Sequence, residues 1–205
     1  MGEHDAQGSG GSVAGSVCIG RLADVAIAGQ PLPGRREIAQ LDTIFFASTT
    51  IQHFAGDAER AAFRDRWLGR YLDRWSQDFF VACNSDRRIV GYLAGCLEDP
   101  AGQPMFADLD YVGTFADLSR SYPAHLHINL HPGWRNGGIG ARLIDAFCAH
   151  AAGRAEGVHV VTGRASRNVR FYERNGFRLL RTARSPGSDT EIAFLGRPLC
   201  SAATT

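Results

Sequence analysis

The sequence has no Cys-x-x-Cys pair, no uncharged apolar run of the roughly 18 residues a membrane-spanning helix needs, and no Gly-Lys-Ser or Gly-Lys-Thr phosphate-loop ending. Its five cysteines, Cys18, Cys83, Cys96, Cys148 and Cys200, are odd in number and scattered. That pattern excludes a spaced zinc or dithiol motif and reads as reduced thiols, mostly in a core. The N-terminus lacks the basic and apolar regions of a secretory signal, so the cytoplasm is the expected compartment. An excess of either charge is missing too: Lys plus Arg is 22 against 21 Asp plus Glu, a net charge of +1. No overall field draws such a chain onto nucleic acid or an anionic membrane, and neither is expected as a partner.

What is present is apolar surface. Of 205 residues, 44% are hydrophobic and 10% aromatic, enough for one domain with a sizeable core. Residues 1–16, mostly Gly, Ser and small or polar residues, read as a flexible tail, 17–200 as the domain and 201–205 as a second tail. A first strand is predicted over Val17 to Leu22. Ile38, Leu41, Ile44 and Phe45, three and four apart, predict a helix over Glu37 to Ala47. Phe63, Trp67, Tyr71 and Trp75 recur every fourth residue in a second helix, Asp57 to Trp75, and read as a core stripe, with the intervening arginines on a solvated face.

Two apolar runs, Phe79 to Cys83 and Ile89 to Leu97, flank a polar turn and predict a hairpin. An irregular connection, Asp99 to Asp117, follows. Then come a strand at His125 to Leu130, a helix at Ile139 to Gly153, an apolar strand at Val158 to Thr162, and a short helix at Asn168 to Asn175 ended by Gly176. Strands at Phe177 to Thr182 and Thr190 to Leu195 close the chain. The order predicts an α/β fold, a mixed sheet covered by helices.

The strongest chemical signal follows the strand at 125–130. Gly137, Gly138 and Gly140 remove side chains where the chain enters a helix, so backbone N–H groups can converge on a phosphate at the positive end of the helix dipole. A purely structural turn is the alternative. Dinucleotide binding fits less well, because Leu143 stands where Gly-x-Gly-x-x-Gly needs its third glycine. His125, His127 and His131 offer a zinc set, but His131 has the wrong strand parity and adjoins Pro132, so no metal is expected.

Arg135-Asn136-Gly137-Gly138-Ile139-Gly140-Ala141 resembles the Arg/Gln-x-x-Gly-x-Gly/Ala signature of GNAT acetyltransferases. Leu130-His131-Pro132 resembles the apolar-x-Pro that ends that family's fourth strand, and Asn168 to Phe177 resembles its second cofactor-binding motif. The resemblance implies a sheet of about six to seven strands flanked by about four helices and splayed between the fourth and fifth strands. It implies acetyl-CoA as co-substrate, with the pantetheine arm against Ile128, Asn129 and Leu130 and the pyrophosphate on Arg135, Asn136, Gly137, Gly138, Ile139, Gly140 and Ala141. Asn168, Phe171 and Tyr172 complete the cofactor site, with Tyr172 as proton donor to the departing thiolate. A phenol suits that task, and a packed aromatic is the alternative.

Trp75 to Glu98, Ser121-Tyr122-Pro123-Ala124-His125-Leu126 with Asn129-Leu130-His131-Pro132, and the closing Leu195-Gly196-Arg197-Pro198-Leu199 carry a narrower resemblance, over about Trp67 to Leu199, to the acetyltransferase-like C-terminal domain of O-GlcNAc hydrolases, whose multidomain members have a degraded glycine loop. Here the loop is intact. Two functions stay open: acetyl transfer to a small-molecule or peptide amine, and a non-catalytic acetyl-CoA-binding or interaction module. For the base that takes the amine's proton, His127 is the choice and Asp110 or Asp108 the rivals. GNAT-type domains often pair, so a homodimer is a candidate state, with Phe194 on an expected edge strand as its hint.

Overall fold

The computed structural model describes residues 16–25, 33–49, 51 and 53–199. The two expected tails fall outside these residues, apart from Ser16, as does Cys200. Seven strands form one sheet: β1 (Cys18–Arg21), β2 (Phe79–Cys83), β3 (Ile89–Cys96), β4 (Ala124–Leu130), β5 (Gly157–Gly163), β6 (Arg178–Arg184) and β7 (Glu191–Pro198). Their order is β1-β2-β3-β4-β5-β7-β6, antiparallel throughout except for the parallel pair β4–β5.

Strand alternation divides the core between the two faces of this sheet. On one face Phe80, Leu93, Leu126 and Val160 pack with α6 (Ile139–Ala151) and α7 (Arg167–Arg174) through Leu143, Phe147, Val169 and Tyr172. On the other, Phe79, Val81, Tyr92 and Ala94 pack under α1 (Arg35–Ser48) and the helical segment that follows it. With both faces covered, β2 and β3 are buried at every position, which is why their sequences are continuous apolar runs.

The predicted second helix is helical from Asp57 to Arg74 but not uniform. Its parts are α2 (Asp57–Arg64), a wide π-type turn over Asp65–Gly69, and α3 (Arg70–Arg74). The aromatic stripe keeps to the core along its length, but its N-terminal half lies at the core's margin. Tyr71 and Trp75 are buried, whereas Phe63 and Trp67 are partly exposed. Nor is the arginine face merely solvated. Arg64 pairs with Asp42, Arg66 and Arg70 share the Asp108 carboxylate, and Arg60 lies 3.6 Å from the centroid of the Phe46 ring.

The connection after β3 holds two 3₁₀ turns, Pro100–Gly102 and Pro104–Phe106, and the short helices α4 (Asp110–Thr114) and α5 (Ala116–Ser119). Phe106 and Phe115 anchor it in the core. One expectation is overturned. Phe194 does not lie on an edge, because β7 runs between β5 and β6. The residue is fully buried, its ring stacked on His159 at 4.7 Å, and offers no surface to a second copy.

Candidate active site

Strands β4 and β5 pair only at Ala124↔Val158 and His125↔His159. Beyond that point β4 stays paired with β3 out to Leu130 and β5 with β7 out to Gly163, so each strand is held by its other neighbour while the two part. The backbone edges they turn toward each other therefore have no ladder partner, a state that water or an extended ligand must relieve. A cleft of about 350 Å³ opens in this gap.

The cleft passes between the two faces of the sheet. From the α6–α7 face come Leu126, Ile128, Asn168 and Tyr172, and from the α1–α3 face come Phe45, Phe63, Trp67 and His127. Asn129, Val161, Thr162, Ser48, Thr49 and Ile51 complete the lining. Asn129 is oriented by the 2.8 Å hydrogen bond that its side-chain amide donates to the Tyr92 hydroxyl.

Tyr172 is held in place by edge-to-face contacts with Phe171 and Phe177. Burial alone pushes its phenol up, so at neutral pH it keeps its proton and can only donate it. His127 faces the other end of the cleft, its ring edge-on to Trp67. Burial first, then His159 and Arg70, lower its pKa to about 4, so the imidazole is neutral, with one ring nitrogen protonated and one not. The Tyr71 hydroxyl lies 3.0 Å from His127 Nε2 and 3.1 Å from His125 Nε2. A phenol has one proton to give, so one Nε2 accepts it and the other donates to the phenol oxygen, and the two tautomers are complementary. His125 Nδ1 is buried without a partner.

The other candidates for the base stand elsewhere. Asp108 is engaged by Arg66 at 2.9 Å and by Arg70 at 2.7 Å; the Arg70 hydrogen bond is the first cause that holds its carboxyl below the usual range. Asp110 begins α4, exposed, and is not among the residues lining the cleft. Among the described residues no group of three or more His, Cys, Asp or Glu side chains is arranged to hold a metal ion. His131 instead accepts the Gly133 N–H on its Nδ1.

Beside the cleft, β4 runs through a 3₁₀ turn at Pro132–Trp134 into the glycine segment and α6. Asn136 has φ 65° and Gly138, the residue before the helix, φ 75°. That left-handed pair turns the chain so that the first N–H groups of α6, which have no intrahelical acceptor, face outward together. The first turn carries no acidic side chain, and a Cβ at Gly137 or Gly138 would meet nothing within 4 Å. The space and the donors suit an anion. At Gly140 the requirement is different, because a Cβ there would sit 2.9 Å from Phe171 Cζ: this glycine lets α6 and α7 approach. Arg135 spans the same corner, its Nε donating to the Leu130 carbonyl and its terminal nitrogen to Ser48.

Residue patterns missed the α1 side of the cleft: Phe45, Ser48, Thr49 and Ile51 belong to no chemical motif. The aromatic stripe did signal Phe63 and Trp67, but burial in a core and lining of a cleft give the same period.

Comparison with known proteins agrees with this geometry. Over 89% or more of its length the chain is similar to three solved structures: SsHAT (22% identity, TM-score 0.67, 100% of that chain), Naa20 of Chaetomium thermophilum in complex with a bisubstrate analogue (20%, 0.53, 86%), and an agmatine N-acetyltransferase mutant in its apo form (18%, 0.58, 99%). At such identities the likeness shows the fold. The sequence itself matches the acetyltransferase (GNAT) domain family over residues 75–179, about half of the chain, from the helix end before β2 through α7 into β6. With the parallel strands parted beside a glycine-led helix, this match identifies the chain as a member of the GNAT acetyltransferase family.

Proposed function

We propose that the protein transfers the acetyl group of acetyl-CoA directly to the nitrogen of an amine. One observation carries the reading: a single cleft through the sheet joins the neutral phenol of Tyr172 on one side to the neutral imidazole of His127 on the other, beside an anion cradle. Residues Arg135 to Ala141 would hold the pyrophosphate and the β4 edge at Ile128 to Leu130, where Arg135 already takes the Leu130 carbonyl, the extended arm, with Asn168 and Phe171 beside it. The bound co-substrate supplies an activated thioester. The amine nitrogen bonds to the acetyl carbon as the carbon–sulfur bond breaks. The amine proton passes to His127 or through it to water, and Tyr172 delivers its proton to the sulfur and regains one from water, so the free thiol leaves and both side chains return to their neutral forms. With its pKa near 4, His127 accepts the proton only in passing and must release it to solvent.

Similar structures support an amine acceptor: one is an agmatine N-acetyltransferase and another the NatC complex bound to Gag peptide and CoA. A second reading, a non-catalytic acetyl-CoA-binding module like the O-GlcNAc hydrolase domain, draws on the low basicity of His127 and on a cleft lining without carboxylates among the described residues. Steady-state kinetics of Tyr172→Phe separate the two. Acetyl transfer predicts a fall in kcat of about 100-fold with acetyl-CoA affinity unchanged. Unchanged turnover removes the role of Tyr172, and absence of turnover in the unmodified protein with every amine offered favours the module.

A further inference from the structure

Resting on that reading, we infer that the acceptor is a monoamine carrying an aromatic or bulky apolar group, bound against the wall that α1 and the π-type turn add to the His127 end of the cleft. Phe45, Phe63 and Trp67 line this end, and Ile51, one of two large hydrophobic side chains that stay well exposed among the described residues, stands at it. The rings form two groups side by side along the cleft, Phe45 to Phe63 at 5.4 Å with Phe63 to Phe54 at 5.5 Å, and Trp67 stacked on Tyr111 at 6.5 Å and edge-on to His127 at 5.0 Å. Such a surface gains by covering apolar area and offers ring faces to a ring.

Charge points the same way. Among the described residues lining the cleft there is no Asp, Glu, Lys or Arg. Of the carboxylates on the flanking elements, Asp42 is paired with Arg64 at 2.6 Å and Asp108 with both Arg66 and Arg70, while Asp65 and Asp110 are exposed and do not line the cleft. A second ammonium group, as in a diamine, would lose water here without gaining a counter-charge. The reacting nitrogen itself arrives at His127 Nδ1 or at water, since Nε2 is committed to Tyr71. The two faces of the cleft thus divide the work, with Tyr172 and Asn168 on the thioester side and the aromatic wall on the acceptor side.

Calorimetric titration of the CoA-loaded protein with 2-phenylethylamine and with 1,4-diaminobutane tests this without requiring turnover. The expected result is binding of phenylethylamine at least tenfold tighter than the diamine, with the difference lost in Trp67→Ala and partly kept in Trp67→Leu, while both variants retain acetyl-CoA affinity and so report a folded protein. Equal or tighter binding of the diamine, or a preference that survives Trp67→Ala, overturns the inference. Product formation, followed in parallel, reports on the transfer reading alone. A phenylethylamine preference without product would defeat acetyl transfer and leave the aromatic site standing, whereas product from the diamine but not from phenylethylamine would do the reverse.

Discussion

The three glycines of the loop look equivalent in the motif and are not equivalent in the structure. Gly138 needs its φ of 75°, Gly140 needs its missing Cβ, and Gly137 needs neither. Gly138→Ala is therefore expected to cost about 1–2 kcal/mol in urea unfolding, from left-handed strain. Gly140→Ala should displace Phe171 and weaken the α6–α7 contact, while Gly137→Ala should leave stability within about 0.5 kcal/mol of the parent. A second residue-scale expectation concerns Tyr71. Tyr71→Phe strips the partner from both Nε2 atoms, one of them on a histidine whose Nδ1 is already unpaired, and is expected to lose about 1–3 kcal/mol of stability. The sequence showed that His125 and His127 share a strand face, because side chains two apart must. It could not show what they face, because Tyr71 lies 54 and 56 residues earlier.

At the scale of elements, strand and helix order was legible because each buried face imposes its period, and most observed bounds fall within a residue or two of those expected. The parting of β4 and β5 was not written in either strand. It arises from pairing choices made by β3 and β7, and only the motif resemblance anticipated it. The break in the aromatic helix was invisible for a related reason: the wide turn leaves the apolar residues at the period of a regular helix. The Arg70–Asp108 link ties this segment to the connection after β3, since Arg70 is 9% exposed and also donates to the Met105 carbonyl. Asp108→Asn is expected to destabilise by about 1–3 kcal/mol, below the range for fully buried pairs because Asp108 keeps about a third of its surface in water. Denaturant titration of the variant checks it, and a loss below the error of extrapolation would show that the link is not stabilising.

For the whole molecule, three imidazoles held neutral by burial set the pH response. His127 and His159 are lowered to about 4 and His125 well below its ordinary value. The unfolded chain takes up these protons near pH 6.5, whereas the folded chain takes them up near pH 4 at His127 and His159 and well below the ordinary range at His125. Stability is then complete above 6.5 and falls as the pH drops through that window, by about 2 kcal/mol at pH 5 for each of His127 and His159. Urea midpoints at pH 7 and pH 5 should differ accordingly, and less in His159→Gln. The chain also contains no lysine, its 22 basic residues all being arginine. Incubated alone with labelled acetyl-CoA, it has no lysine side chain to modify, and label on any residue other than the α-amino group would point to a covalent acyl-enzyme rather than direct transfer.

The central claim, an acetyl-CoA site built on the start of α6, is tested most directly by calorimetric titration of the protein and of Gly137→Glu with acetyl-CoA. Glutamate at 137 meets open space, so the fold is kept while a carboxylate enters the anion cradle. Micromolar binding by the parent, weakened at least 100-fold in the variant, is the predicted result; no binding by the parent, or equal binding by both, would contradict it.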